Sequence, residues 1–400
     1  MRGSRDFRLL LVSTIASGIG SWLAYVALVV DITDRTHDAR WIGALLLAEF
    51  LPSVFFAFVA GPVLDRLPRR AILVGADIAR AGIFVALPFA PSALAVVGLA
   101  LAAGIATSFF RPVVYASVPN VVEPNELPAA NALLQTADNL TWAAGALVGG
   151  ALVALFGPGP AYLVNTASFV VSALLLLRIR RPLQEAVAAT SGHFRDLADG
   201  ISIVVHSRPL LTVLAAWSVI MLGSAAVNVA EVFLARDVFH AGDWGYGLLL
   251  ASGALGLAAG SLAGGGLVSS HGVRGPYTIA IAVMGAGFVA ASIAPNVWIA
   301  CACAAVAGAG NGTAVVCNAV LVQRGSPDAL RGRAFAVLMS AGNAVLGVGL
   351  VLAGIFTEAY GARAAWAAAG GLCALGALVA VLLLPRHDRA ALPVAARGAS

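Results

Sequence analysis

The chain has 400 residues, 60% hydrophobic and only 11% charged, with a formal net charge of +5. A soluble domain needs about 25% charged residues to cover its surface, so a single water-bounded core is excluded. The basic excess sits in short arginine clusters between long apolar runs, the pattern of loops flanking a membrane and not of a continuous stripe for nucleic-acid phosphates.

About twenty apolar residues cross a bilayer, and twelve segments qualify: 9–30, 41–61, 71–90, 93–115, 132–155, 161–177, 210–234, 246–268, 276–294, 297–320, 334–357 and 364–384. The first follows Arg2, Arg5 and Arg8 in the manner of a secretory signal. It is long enough to span, however, and more spans follow, so it reads as an uncleaved first helix. The connections are short, so successive helices run antiparallel. Only residues 178–209 form a long loop, which divides the chain into a bundle at 1–177, a linker at 178–209, and a second bundle with a short tail at 210–400. In the linker, Phe194, Leu197, Ile201, Val204 and Val205 share one face of a helix opposite Arg195, Asp196, Asp199 and His206. That pattern is an amphipathic helix on the membrane surface, a solvated linker being the alternative.

With the N-terminus cytoplasmic, eighteen arginines fall on inner segments and four on outer ones, Arg35, Arg40, Arg236 and Arg363. The positive-inside rule then places both termini in the cytoplasm. All twenty-four basic residues are arginine, and without lysine no Walker-type phosphate loop can form. Abundant alanine with an all-arginine basic set is the composition of a GC-rich bacterial genome, and the expected location is the bacterial cytoplasmic (inner) membrane. Cys301, Cys303, Cys317 and Cys373 all lie in apolar runs, and no His stands near the Cys301–Cys303 pair. They read as small packing residues, and neither metal nor cofactor is expected.

The halves repeat. Gly61 to Arg66 answers to Gly265 to Ser270 at an offset of 204, Pro124 to Leu127 answers to Pro327 to Leu330 at 203, and Gly157 and Tyr162 answer to Gly361 and Trp366 at 204. Two parallel six-helix repeats around a midplane site form a known transporter plan.

Ionisable residues within spans mark function by default. Glu49 lies eight residues past Trp41, about 12 Å along a helix and near mid-membrane, and Pro52 follows within a turn. It reads as a proton or cation site, with an interhelical hydrogen bond as the alternative. Asp31 and Glu231 stand near the outer span ends, where an interfacial position accounts for them; they are the second choices for proton coupling. Asp77 and Arg80, three apart, form an expected charge pair. Trp22, Tyr25, Arg111, Asn165, Trp217, Asn228, Asn311, Asn318 and Asn343 are candidate cavity-lining groups. Each can equally serve as glue between helices, and Arg111 can snorkel to the inner interface.

The stretch Gly61-Pro-Val-Leu-Asp65-Arg66-Leu-Pro-Arg69-Arg70 resembles the loop signature of the major facilitator superfamily, at the place between the second and third helices where that family has it. The resemblance implies an all-α membrane fold of twelve helices in two pseudo-symmetric bundles, working by alternating access. It also implies that this loop latches the halves in the outward-facing state. Physically, Gly61 permits close helix approach, and Asp65 can accept hydrogen bonds from a neighbouring helix N-terminus. Arg66, Arg69 and Arg70 can hold anionic lipid or acids such as Glu123 and Glu126. The second copy, with Ser269, Ser270, His271 and Arg274, has lost the acid, so the latch is asymmetric. Gly145-Ala146-Leu147-Val148-Gly149-Gly150 is similar to the family's antiporter stretch, with alanine for its proline. Asp199-Gly200 to Arg208-Pro209-Leu210 resembles the subgroup of enterobactin exporters and secretion transporters.

The expected activity is export of a small amphipathic molecule in exchange for protons, by a protein that is monomeric in the bilayer, binds no nucleic acid and is not an enzyme. The alternatives are an importer of a small nutrient by symport or facilitated diffusion, and a non-transporting sensor or scaffold.

Overall fold

A hydrocarbon environment offers no water to backbone groups, so a spanning segment must satisfy its own hydrogen bonds, which a helix does. The computed structural model describes residues 5–183, 201–327 and 330–384, without the side chains of 54–66, 125 and 128. The helices are α1 (Arg5–Thr36), α2 (Ala39–Arg66), α3 (Arg69–Ala86), α4 (Ala93–Ser117), α5 (Leu127–Phe156) and α6 (Pro158–Leu177) in the first half. The second half has α7 (Arg208–Phe233), α8 (Gly242–His271), α9 (Arg274–Ser292) and α10 (Val297–Gly325). A last continuous run, Arg331–Leu383, is two helices, α11 (331–360) and α12 (362–383), broken at Gly361. Ten helical runs, counting that one once, are long and apolar enough to cross a membrane; α2 contributes a further 28 helical residues. Twelve helices of spanning length result among the described residues, and no strand. Most helices run several residues past the expected spans because caps and polar ends continue the backbone ladder beyond the apolar stretch. Residues 201–206 are helical, but the rest of the expected linker helix and the tail beyond 384 lie outside the described residues.

The repeat extends to the caps. Ser92 Oγ accepts from Ala95 N at 3.3 Å to start α4, and 204 residues later Asn296 Oδ1 accepts from Ile299 N at 3.0 Å to start α10. His37, after α1, has φ 50°, and His240, after α7, has φ 51°. Gly157 turns the chain from α5 into α6 at φ 77°, ψ 179°, and Gly361 turns α11 into α12 at φ 83°, ψ 168°. Only glycine occupies that region without strain. Tyr162 and Trp366, each five residues on, are both 1% exposed.

In the first half α1 packs on α5 and α6, α2 on α4, and α3 on α4 and α6; in the second, α8 packs on α10 and α9 on α10 and α12. The outside is apolar, with Phe89, Leu155, Leu262 and Leu382 exposed, as lipid contact allows. The halves meet along two seams, α5 with α8 and α2 with α11. A Cβ on Gly247 would lie 2.8 Å from Gly150 Cα, and one on Gly354 2.9 Å from Arg40 Cα; one on Gly43 would meet Leu350 O at 2.5 Å. Gly43 and Gly247 are equivalent in the repeat, as are Gly150 and Gly354, so one glycine contact is made twice. Both seams lie toward the end of the bundle that carries Asp34. The opposite end carries Arg69.

Candidate functional site

A cavity of ≈ 230 Å³ opens between the halves, mainly within the second. Glu231 and Asn228 on α7, Asn311 on α10 and Ser224 supply its polar groups, set among Trp142, Met221, Phe288 and Trp366. Trp142 comes from α5 and stacks on Trp22 of α1 at 5.0 Å between ring centroids, and Trp22 meets Tyr25 edge-on at 5.4 Å. Asn311 Oδ1, Trp142 Nε1 and Trp366 Nε1 are buried without a hydrogen-bond partner. A mainly apolar chamber with a few unspent polar groups is what an amphipathic ligand needs.

The acids gather more closely than their sequence positions indicate. Glu231 is 5% exposed and Asp31 6%: both stand near the Asp34 end of their helices, and the neighbouring helices that converge there cover them. Asp31 pairs with Arg35 at 2.7 Å and accepts from the Tyr162 hydroxyl at 3.0 Å, which leaves it committed. Glu231 has no ion-pair partner among the described residues. One carboxylate oxygen of Glu49, on α2, is buried without a hydrogen bond among the described residues, and the Glu49 backbone packs against α4, where a Cβ on Gly104 would meet its carbonyl O at 2.5 Å. The buried phenols of Tyr25 (α1) and Tyr246 (α8) are each in electrostatic reach of both acids and of the other phenol. The Tyr246 hydroxyl still makes no hydrogen bond of standard geometry. An intramembrane carboxyl without a cationic partner can take up a proton, and among the described residues one stands in each half.

Asp77 and Arg80 form an ion pair, 0% and 3% exposed, with the guanidinium 4.3 Å from the ring centroids of both Phe110 and Phe169. The pair lies inside the first half, away from the central cavity. In the signature loop, α2 remains helical through Gly61 to Arg66, but those side chains lie outside the described residues. Arg69, expected on lipid or acids, donates to the carbonyls of Ala116 at 2.7 Å and Leu183 at 2.9 Å, and Arg70 to that of Arg181 at 3.2 Å.

Three lining expectations are corrected. Asn165 is fully buried, wedged beside Gly20 between α1 and α6. Asn343 is exposed and lines neither large cavity. Arg111 pairs with Asp138 at 2.6 Å, with the Tyr115 hydroxyl on the same carboxylate at 3.1 Å, beside a recess of only ≈ 20 Å³. Trp217 and Asn318 line a second, apolar cavity of ≈ 170 Å³ among α7, α10 and α11. Trp142 and Trp366 also line the central cavity; in the sequence Trp366 stood out only as the repeat counterpart of Tyr162, and Trp142 not at all.

The Asp34 end is also tied electrostatically. Arg236, in a π-helical turn after α7, reaches Asp34 of the first half at 2.7 Å and Asp243 of α8 at 3.3 Å. The backbone N–H of Ala39 donates to Glu358 of α11 at 3.0 Å.

The family described as transmembrane secretion effector, of the major facilitator type, matches residues 3–397. Macrolide efflux protein A of Streptococcus pyogenes is 23% identical over 361 residues, covering 86% of this chain and 87% of that protein. Multidrug efflux pump Tap of Mycobacterium tuberculosis is 26% identical over 400 residues, covering 94% and 92%. Among solved structures, a bacterial homologue of the iron transporter ferroportin in its inward-facing state superposes with a TM-score of 0.77 over 95% of this chain and 98% of that one, at 15% identity. The chain therefore belongs to the transmembrane secretion effector family of the major facilitator superfamily and is a multi-pass membrane transporter.

Proposed function

We propose that this transporter exports a small amphipathic molecule from the cytoplasm of a bacterium in exchange for protons, by alternating access between bundles 1–177 and 210–400 joined by linker 178–209. The observation that carries the reading is the central cavity. It combines indole and phenyl walls with Glu231, Asn228 and Asn311, and Tyr25 and Tyr246 link Glu231 electrostatically to Glu49, a second acid without an ion-pair partner among the described residues. The macrolide and multidrug efflux relatives support the outward direction.

Arginine distribution puts the Arg69 end in the cytoplasm with both termini, so the clamp at the Asp34 end makes this an inward-facing state. Glu49 and Glu231 take up protons from outside and release them inside, with substrate occupying the cavity in between. The outward-facing state is latched at the other end by Asp65, next to Arg66. The protein works as a monomer in the inner membrane.

Proteoliposomes loaded with the fluorescent cation rhodamine 6G and given an imposed pH gradient test the reading. Dye is expected to move uphill, counter to protons. Co-movement with protons would establish the importer alternative, and dye flux indifferent to the gradient would remove proton coupling.

A further inference from the structure

The apolar cavity among α7, α10 and α11 has a counterpart in the first half, and the two differ in one respect. In the first half, α1, α4 and α5 bring together Thr14, Arg111, Tyr115, Leu134 and Asp138 around a recess of ≈ 20 Å³. Shifted by 203 or 204 residues, the same positions hold Trp217, Val315, Ala319, Leu338 and Gly342, and the recess grows to ≈ 170 Å³. The ion pair and phenol that plug the first copy are absent from the second, leaving Val, Ala and Gly where Arg, Tyr and Asp stood. An unfilled apolar cavity destabilises its surroundings, so a space opened in one repeat and closed in the other calls for an occupant.

Its position says which. On α10 the lining residues Ala304, Ala307 and Asn311 of the central cavity continue at helical spacing into Val315, Asn318 and Val322 of the apolar one. On α7, Ser224 and Met221 lead in the same way into Trp217 and Val213. The two cavities are one groove in series along single faces of these helices. Asn311 and Asn318, two turns apart, each keep a buried amide oxygen without a partner, one in each chamber.

We propose that the α7–α10–α11 cavity is a second substrate subsite, which takes the apolar arm of an elongated amphiphile whose polar end sits by Asn228, Asn311 and Glu231. The substrate is then longer than the central cavity alone accommodates. From Asn228 to Trp217 is eleven residues of helix, a span of about 16 Å. Its apolar arm is an aliphatic or aromatic body without charge, because among the described residues Ser218 and the Asn318 amide are the only polar side chains lining that chamber besides the Trp217 indole. This inference rests on the proposed role of the central cavity as the substrate site.

The test uses n-alkyltrimethylammonium ions with tails of six to fourteen carbons, bound to the full chain in lipid nanodiscs. Affinity is referred to free aqueous ligand, with partition into empty discs subtracted. Each methylene that enters an apolar site adds about fourfold in affinity. Gly342→Leu projects into the cavity, since a Cβ there first meets Trp217 Cδ1 at 3.5 Å, and Ala319→Tyr restores the residue of the first repeat. In both variants the ratio of fourteen-carbon to six-carbon affinity should fall at least about tenfold. A ratio unchanged from wild type in both overturns the subsite.

Photoaffinity on the unmodified protein gives a reading that does not depend on variants folding. With a diazirine at the tail end of the fourteen-carbon probe, cross-links are expected at Trp217, Leu338 or Met339; tail cross-links confined to other helices overturn the subsite. Labelling of those residues by a diazirine phospholipid that the probe fails to displace also overturns it, since lipid is then the occupant. A diazirine at the ammonium end separates the two proposals. Head labelling of the central cavity without tail labelling of the subsite defeats this inference alone, whereas failure of head labelling defeats the substrate site and this inference with it.

Discussion

Glu49 and Glu231 stand on different halves and share two phenols, yet only Glu231 lines the central cavity. That difference separates their expected phenotypes. Glu49→Gln keeps size and hydrogen bonding but cannot titrate, so it should still equilibrate rhodamine 6G down a gradient while failing to concentrate it. Its dependence on external pH should flatten. Glu231→Gln removes a carboxylate from the chamber itself and should also weaken binding of the cation, by about tenfold for loss of a charge-assisted contact. Uphill, pH-dependent transport at the wild-type rate by Glu49→Gln would return that acid to a structural role. The buried pair Asp77–Arg80 supplies a contrasting case. Asp77→Asn leaves a guanidinium uncompensated between Phe110 and Phe169 and should destabilise the protein by about 3–5 kcal/mol. Asp77→Leu combined with Arg80→Met should recover much of that loss in thermal unfolding, because a lone buried charge is worse than none; an unchanged unfolding temperature in Asp77→Asn would place the pair outside the stability of the first half. Glu49 was legible in the sequence because it is a lone acid within an apolar run. Glu231 was legible only as a second choice for proton coupling, because counting from the end of an apolar stretch reads depth along one helix and knows nothing of the neighbours that close over it. Asn165 failed as a lining residue for the same reason: helical phase gives a face, not the helix that covers it.

At the scale of elements, the internal repeat carried most information. Matching Gly157 to Gly361 and Tyr162 to Trp366 in the sequence located two hairpin turns that have the same backbone geometry in the structure. Both glycines hold a positive φ with ψ near 180°, so Gly157→Ala and Gly361→Ala should each destabilise by about 1–3 kcal/mol, and by similar amounts. Nothing lies within 4 Å of a Cβ at either position, so any loss reports backbone strain alone. Thermal unfolding of the two variants checks this, and a neutral effect at both would mean that the turns relax. The repeat was less informative where the copies diverge. The antiporter-like stretch Gly145 to Gly150 has alanine for the family's proline, and its glycines serve two interfaces: Gly145 and Gly149 lie against α1, and Gly150 lies at the seam against Gly247. A seam between two distant helices leaves no periodic trace in either one. The linker helix and the Asp65 side chain stay at the level of sequence expectation. Asp65→Asn is therefore expected to impair transport while leaving membrane insertion intact, measured by dye flux against protein abundance in the membrane; full transport would reduce the loop to a lipid anchor.

For the whole molecule, alternating access requires that the Asp34 end open, and the contacts that hold it are few and nameable. The two glycine seams set how closely the halves approach, and Arg236 joins Asp34 to Asp243 across the gap. The ion pair is partly exposed, so its direct contribution is small, on the order of 0–1 kcal/mol. The seams are the stronger restraint, since packing without a Cβ admits no intermediate separation. Gly247→Val would place atoms 2.6 Å from Ala146 O and 2.8 Å from Gly150 Cα, which only separation of α5 from α8 relieves. A cysteine reporter at Ser224, which lines the central cavity, reads the consequence once Cys301, Cys303, Cys317 and Cys373 are replaced. With the seams intact, an impermeant maleimide should label it from the Arg69 side. Adding Gly247→Val should shift labelling toward the Asp34 side in membrane vesicles of the opposite orientation, and Arg236→Gln should add a smaller shift in the same direction. If Gly247→Val folds and labelling stays on the Arg69 side, the seams do not hold that end closed. Labelling that begins on the Asp34 side in the parent protein would invert the assignment of the open end, and with it the order in which substrate and proton reach the cavity.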